Sequence, residues 1–150
     1  LVGVENLFDL TITRRNPKDG TMTCSGQGIN LEVPLDFHTT GNNTPGGEEN
    51  RVTVGIRASD IIIAKDALIG SSARNQIEGH VIAIEPHPPG YTVILNFGTG
   101  DLKYPLRCHI TGSALEELAI ESGQKLWAVF KASSCFLVDA HNETNSELTN

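Results

Sequence analysis

Residues 71–84, with the sequence SSARNQIEGHVIAI, form the most regular stretch of the chain. The part from Gln76 to Ile84 is rich in β-branched residues, which predicts a strand. Just before it, Ser71 to Asn75 supply small hydroxyls, a guanidinium and an amide. The rigid fork of arginine donors, the serine hydroxyl and backbone N–H groups beside small side chains suit a tetrahedral oxyanion. We therefore predict an oxyanion-binding segment at the start of this strand, with a surface ion pair at Arg74 as the alternative.

Short stretches of β type also dominate the rest of the chain. They are separated by turn signals such as Asn16–Gly20, His87–Gly90 and Gly98–Gly100, which break helices and favour chain reversals. Together these features predict a mainly β protein. The expected strands are residues 10–14, 21–24, 29–33, 52–63, 76–84, 91–97, 102–110, 126–132 and 136–138.

One stretch, Ser113–Ile120, has apolar residues at helical spacing and predicts a single short helix. Ser113 and Glu116 match a capping box, and Gly123 is the expected C-terminal stop. From residue 76 onwards the order is then strand, strand, strand, helix, strand, strand. This order is that of a small five-stranded Greek-key barrel of the oligonucleotide/oligosaccharide-binding (OB) type. The order predicts a fold and not a function.

We expect two lobes, because a turn-like segment near Ala67–Gly70 separates two β-rich parts. The first lobe comprises residues 1–66 and the barrel comprises residues 67–140. The polar segment 38–50 is rich in Gly and Asn and predicts a mobile loop. Residues 141–150 lack an apolar period and predict a flexible tail.

Composition and charge exclude several classes of function. The formal net charge is -7, and the basic residues are scattered, which argues against a nucleic-acid surface. No apolar run has the length of a membrane span. Cys24, Cys108 and Cys135 are widely spaced and odd in number, which fits a reducing compartment such as the cytosol.

Motifs for catalysis and for cofactors are missing from the sequence. There is no Walker A loop and no nucleophile elbow, and the five histidines have no metal-ligand spacing. We therefore expect no enzyme activity, no metal and no cofactor in these residues.

Two further positions are candidates for the same anion. Lys131 ends an apolar strand and is followed by the small residues Ala132 and Ser133, whose backbone can approach a ligand. Thr111 precedes the predicted helix, where free N–H groups favour anions. The alternatives are a solvated strand-end charge at Lys131 and a helix cap at Ser113. Strand ends of a barrel can bring these positions to one rim with residues 72–74, or to a rim shared by two subunits.

These residues resemble a known family. The segments Ser72–Val81, His109–Thr111, Leu118–Leu126 and Phe130–Ala132 are similar to a molbindin or Mop module, the small barrel that binds molybdate and tungstate. The resemblance covers roughly residues 70–139, about half of the chain.

The first half adds to the resemblance. Val2–Phe8 and Val54–Ile61 are similar to the accessory region that follows the nucleotide-binding domain in ABC importer ATPase subunits. The whole therefore resembles the C-terminal regulatory (TOBE/Mop-type) region of a molybdate or tungstate importer ATPase. An ATPase domain before Leu1 is the corresponding expectation.

The resemblance implies a site and a set of partners. The ligand is molybdate or tungstate, with sites formed between modules in a homodimer. It further implies feedback on transport, contact with membrane permease subunits through the ATPase domain, and a cytoplasmic location at the membrane. Ala114 departs from the family, since some members have a hydroxyl there. The implied oxyanion-binding residues are Ser72, Ala73, Arg74, Thr111, Lys131, Ala132 and Ser133.

Two alternatives remain open at this point. One is a ligand-free dimerisation or accessory region of a sulfate, iron or sugar importer ATPase. The other is a cytosolic molybdate-storage protein.

Overall fold

The computed structural model describes residues 4–36 and 50–138. The predicted mobile loop lies outside this part of the chain except for Asn50, and the predicted tail 141–150 lies outside it entirely. The described residues form two compact units, the first made of residues 4–36, 50–56 and 132–138 and the second of residues 57–131. None of the helices in the described part is long and apolar enough to cross a membrane.

Ten strands and one α-helix make up the described regular structure. The helix is α1 (Gly112–Glu117), and short 3-10 turns occupy Ala58–Asp60 and Ala132–Ser134. The strands are β1 (Asn6–Asn16), β2 (Thr21–Gly26), β3 (Ile29–Pro34), β4 (Arg51–Ile56), β5 (Ile62–Ala64), β6 (Asn75–His87), β7 (Gly90–Asn96), β8 (Pro105–Ile110), β9 (Lys125–Phe130) and β10 (Phe136–Val138).

The first unit is a five-stranded antiparallel sheet in the order β10-β4-β1-β2-β3. In β1 the side chains alternate, so that Phe8 and Leu10 are buried while Leu7 is 48% exposed. This period of two is the signature of a strand with one face on a core. A two-residue turn at Gln27 and Gly28 joins β2 to β3, and both residues have positive φ, as a hairpin of this length requires.

The second unit is a five-stranded antiparallel sheet in the order β5-β9-β6-β7-β8. The long strand β6 pairs with β9 along its first half and with β7 along its second half, and its register with β7 shifts between Val81 and Ala83. Such a bulge bends a strand and lets a sheet curl. The two edge strands, β5 and β8, contact each other. The sheet encloses an apolar core that includes Ile77, Val81, Val93, Leu95, Leu106, Leu126, Val129 and Phe130.

The predicted fold class is confirmed, since the chain is mainly β and carries an OB-like five-stranded unit with one short helix after a first β lobe. The prediction that residues 136–138 form the fifth strand of the barrel was wrong. These residues pair with β4 in the first unit, and β5 is the fifth strand of the second unit. The predicted strand 52–63 is interrupted by the turn Ala58–Asp60, in which the amide of Asp60 donates to the carbonyl of Arg57 at 3.0 Å. The second unit therefore begins at residue 57, earlier than the predicted boundary at 66/67.

The predicted helix forms, but the residues that close its two ends are not the predicted ones. The hydroxyl of Thr111, not Ser113, caps the N-terminus by accepting a hydrogen bond from the amide of Ala114 at 3.1 Å. At the other end Ala119 has a φ of 47°.

The backbone closes this C-terminus without the help of a glycine. The amide of Ile120 donates to the carbonyl of Leu115 at 3.2 Å, and the amide of Ala119 donates to the carbonyl of Glu116 at 3.0 Å. This is a Schellman motif with alanine in the left-handed position. Gly123, the expected stop, lies further on, and its amide donates to the carbonyl of Val81.

Candidate functional site

The predicted oxyanion segment lies between β5 and β6 and has no regular secondary structure. Ser71, Ser72 and Arg74 are exposed and Ala73 is half-buried. The hydroxyl of Ser71 accepts a hydrogen bond from the amide of Ala73 at 3.3 Å, which turns the chain locally. Ser72 and Arg74 are therefore presented to solvent on a short, turned loop.

The base of this loop is closed by the side chain of Gln76. Its Oε1 accepts a hydrogen bond from the amide of Leu68 at 2.7 Å, and its Nε2 donates to the carbonyl of Leu68 at 2.9 Å. Both polar atoms of the side chain thus pair with one backbone residue. Sequence reasoning missed this role, because an eight-residue separation gives no local pattern.

Arg74 and Lys131 lie at the same end of the second sheet. Asn75 in β6 pairs with Phe130 in β9, so Arg74 and Lys131 occupy the next positions of the two strands. Both are exposed, whereas Asn75 and Phe130 are buried. Two cations at one sheet edge suit an oxyanion, because a guanidinium and an ammonium both donate charge-assisted hydrogen bonds.

Thr111 lies at the opposite end of β6. It follows Ile110 in β8, which pairs with Tyr91 in β7, and Tyr91 in turn pairs with Pro86 near the end of β6. The register thus groups Lys131 with Arg74, whereas the resemblance implied that Thr111 and Lys131 together face Ser72 and Arg74 of a second copy.

The surroundings of Thr111 are tightly packed. A side chain at Gly90 would overlap the carbonyl oxygen of Ile110, so glycine permits the close approach of β7 to the end of β8. The rings of His87 and His109 stack nearby, with centroids 4.0 Å apart and an interplanar angle of 22°. These contacts fix the backbone that leads into Thr111.

The remaining predicted site residues, Ala132 and Ser133, belong to the first unit, where they begin a 3-10 turn. Ala132 is half-buried and Ser133 is exposed. Their role in ligand binding stays a prediction from the sequence.

Other groups with chemical potential are buried or dispersed. Burial raises the pKa of Cys24 to about 11 and that of Cys108 to about 12, which disfavours the reactive thiolate. Within residues 4–36 and 50–138, no three His, Cys, Asp or Glu side chains gather as metal ligands do. The arrangement that stands out chemically is thus the exposed cation pair with its serine-containing loop.

Comparison with known proteins shows the family of the chain. Residues 71–137 match the model of the TOBE domain. Over 107 residues the chain is 37% identical to the molybdate/tungstate import ATP-binding protein WtpC of Pyrococcus abyssi, which covers 71% of this chain and 26% of that protein. The corresponding protein of Pyrococcus horikoshii is 40% identical over 84 residues, 56% of this chain and 23% of that protein. The chain thus spans about a quarter of the length of these two relatives.

A smaller relative and a solved structure extend the comparison. A probable molybdenum-pterin-binding protein of Haemophilus influenzae is 35% identical over 63 residues, 42% of this chain and 87% of that protein. The fold is similar to that of the cytoplasmic molybdate-binding protein ModG, with a TM-score of 0.72 and 22% identity over 91% of this chain and 96% of that one. Given the matched model and the near-complete coverage of the smaller relative, the chain belongs to the family of TOBE-domain proteins.

Proposed function

We propose that this chain is an oxyanion-sensing region that binds molybdate or tungstate at a site shared by two copies. One copy contributes Ser72, Ala73, Arg74 and Lys131, and the other contributes Thr111. The observation that carries the proposal is the strand register, which sets Arg74 and Lys131 at one end of β6 and Thr111 at the other. A single chain then has two incomplete half-sites.

A symmetric dimer completes both half-sites at once. When two copies pair about a two-fold axis with their β6 strands antiparallel, the start of one strand meets the end of the other. Each Arg74 and Lys131 then faces the Thr111 of the second copy, and two equal sites form. Sequence relatives named for molybdate, tungstate or molybdenum-pterin support the choice of ligand.

The chemistry of the half-sites matches a tetrahedral dianion. Arg74 and Lys131 supply positive charge in a chain whose net charge is -7, so the attraction is local. Thr111 accepts a hydrogen bond from Ala114, and a hydroxyl that accepts one bond can still donate its proton to an oxyanion oxygen. Ala114 itself offers no hydroxyl, so we expect this half-site to hold the anion with one donor fewer than relatives with a hydroxyl there.

Calorimetric titration tests the ligand. Molybdate and tungstate are expected to bind, and Arg74→Ala is expected to weaken binding about ten- to a hundredfold, because hydrogen bonds to charged groups are among the stronger ones. Arg51→Ala removes an exposed arginine of the first unit and serves as the matched control. A dimer that gives no heat with either oxyanion contradicts the proposal and favours a ligand-free accessory region.

In an intact importer, the bound oxyanion acts as a feedback signal. Occupancy favours the arrangement of paired regulatory regions to which the ligand binds best, and that arrangement disfavours ATPase closure and transport. The test is the ATPase rate of the reconstituted importer, with molybdate added on the side of the ATP-binding subunit. Molybdate should lower the rate, and Arg74→Ala should abolish the inhibition while leaving the rate without molybdate unchanged.

A second candidate is a cytosolic molybdate-binding or storage protein without a transporter. The coverage of 87% of the small Haemophilus relative favours it, because that match includes no ATPase domain. The candidate predicts molybdate binding with no effect of the chain on any importer ATPase. The reconstitution experiment therefore separates the two functions.

A further inference from the structure

We propose that Gln76 is a positioning residue, whose side-chain amide holds the loop that presents Ser72 and Arg74 to the oxyanion. The inference rests on the proposed function, since it concerns the same half-site. It is carried by the two hydrogen bonds of 2.7 and 2.9 Å between the Gln76 amide and the backbone of Leu68.

The geometry of this contact is that of a strand pair. Two residues opposite each other in an antiparallel ladder exchange two N–H···O bonds, and here the side chain of Gln76 replaces one of the two strands. Because both the N–H and the carbonyl of Leu68 are engaged, the position and the orientation of residue 68 are fixed together. A single hydrogen bond would leave the peptide free to rotate about it.

The contact closes a loop whose other end is already fixed. Asn75 is 1% exposed and pairs with Phe130, so the chain is held at the start of β6. Gln76 ties residue 68 to that same point, and the intervening residues become a short closed loop. Closing a loop lowers its conformational entropy before any ligand arrives.

The closed loop contains the proposed donors. Ser72 and Arg74 are exposed and lie outside the sheet, so the strand ladder alone does not orient them. Preorganised donors bind an anion more tightly, because the free-energy cost of ordering them does not reduce the binding free energy. The Gln76 contact thus converts an irregular segment into a preformed half-site.

Gln76→Met tests the role, because methionine keeps the length of the side chain and removes both hydrogen bonds. Gln76→Asn keeps an amide that is one methylene too short, and it serves where the methionine variant folds poorly. Gln124→Met is the matched control. Gln124 also accepts a hydrogen bond from a backbone amide in the second unit, that of Glu121 at 2.9 Å, but it lies in the turn before β9.

Amide hydrogen exchange and molybdate titration of the same proteins give the readout. In Gln76→Met, the Leu68 amide is expected to lose its protection while the β6 and β9 amides keep theirs, and molybdate affinity is expected to fall about tenfold. Gln124→Met is expected to change neither. Unchanged affinity in Gln76→Met with loss of Leu68 protection overturns the positioning role, and so does retained protection.

The failure of the proposed function is read separately, in the wild-type chain. If wild-type protein binds neither molybdate nor tungstate, the oxyanion site is wrong and the positioning role falls with it. If wild-type protein binds molybdate and the Gln76 variants bind it with the same affinity, the oxyanion site stands and the positioning role alone is wrong.

Discussion

Arg74 and Lys131 occupy neighbouring positions at one end of β6 and β9, because Asn75 pairs with Phe130 across these strands. The pair before them is buried, whereas both cations are exposed. A single chain thus offers two positive groups at one sheet edge, beside a turned loop that carries serine hydroxyls.

The shape of the Arg74 side chain is expected to matter beyond its charge. Arg74→Lys keeps the positive charge and loses the planar fork of donors, so we expect molybdate affinity to fall about tenfold, less than in Arg74→Ala. Titration calorimetry of the two variants beside wild type is the measurement. Equal affinity of Arg74→Lys and wild type would mean that charge alone holds the anion.

Ala119 is expected to limit the stability of the second unit. Its φ of 47° is in the left-handed region, which costs a residue with a Cβ about 1–2 kcal/mol. Ala119→Gly removes this cost, and about 1 kcal/mol of it should appear as added stability, since glycine loses more entropy on folding. Urea unfolding measures the change. Ser122→Gly, an exposed site in the following turn, is the control, and a lower unfolding midpoint in Ala119→Gly would refute the assignment.

Ile69 is expected to support self-association next to the oxyanion loop. Its side chain is 98% exposed, and the adjacent Leu68 is 38% exposed, so an apolar surface precedes Ser71. Ile69→Ser should shift the dimer to monomer and weaken molybdate binding without lowering the unfolding midpoint. Sedimentation velocity measures the first effect. Leu102→Ser, which replaces a 52% exposed leucine of another loop, should leave the dimer intact; equal behaviour of the two variants would contradict the interface.

Alkaline pH is expected to destabilise the chain through Cys108. Its pKa is raised to about 12 by burial, whereas an unfolded thiol titrates near 8.5. Between these values the unfolded state has lost the proton that the folded state keeps, so the free energy of unfolding falls as pH rises. Cys108→Ala should lose less stability between pH 8 and pH 11 than wild type in urea titrations. Equal losses in both proteins would show that other groups dominate.

The fold could be predicted from the sequence where the signal is local. The period of two in β1 and the turn residues at Gln27–Gly28 follow from nearest neighbours, and so does the helix at Gly112–Glu117. The sheet that each of the two short strands β5 and β10 joins could not be predicted in this way. Residues 136–138 and 62–64 are both short apolar strands, and only long-range pairing decides which sheet each one joins.

The candidate site, too, could be predicted from the sequence only where its signal is local. The donor-rich segment Ser72–Arg74 is visible in the sequence, because its residue types alone suit an oxyanion. The partnership of Arg74 with Lys131 depends on the register of β6 and β9, and the Gln76 contact depends on how the loop folds back. Neither leaves a pattern of spacing along the chain.

Mixing two inactive variants tests whether each site joins Arg74 of one copy to Thr111 of another. Arg74→Ala and Thr111→Ala chains are unfolded together, refolded as a mixture and titrated with molybdate, with each variant alone and Thr111→Ser as controls. Thr111→Ser keeps the hydroxyl and should bind like wild type.

In a mixed dimer, one site receives both substitutions and the other receives neither. The mixture is therefore expected to regain about a quarter of the wild-type sites at wild-type affinity, since half of the dimers are mixed and each has one intact site. A mixture that binds no more molybdate than the separate variants would contradict a site shared between two copies.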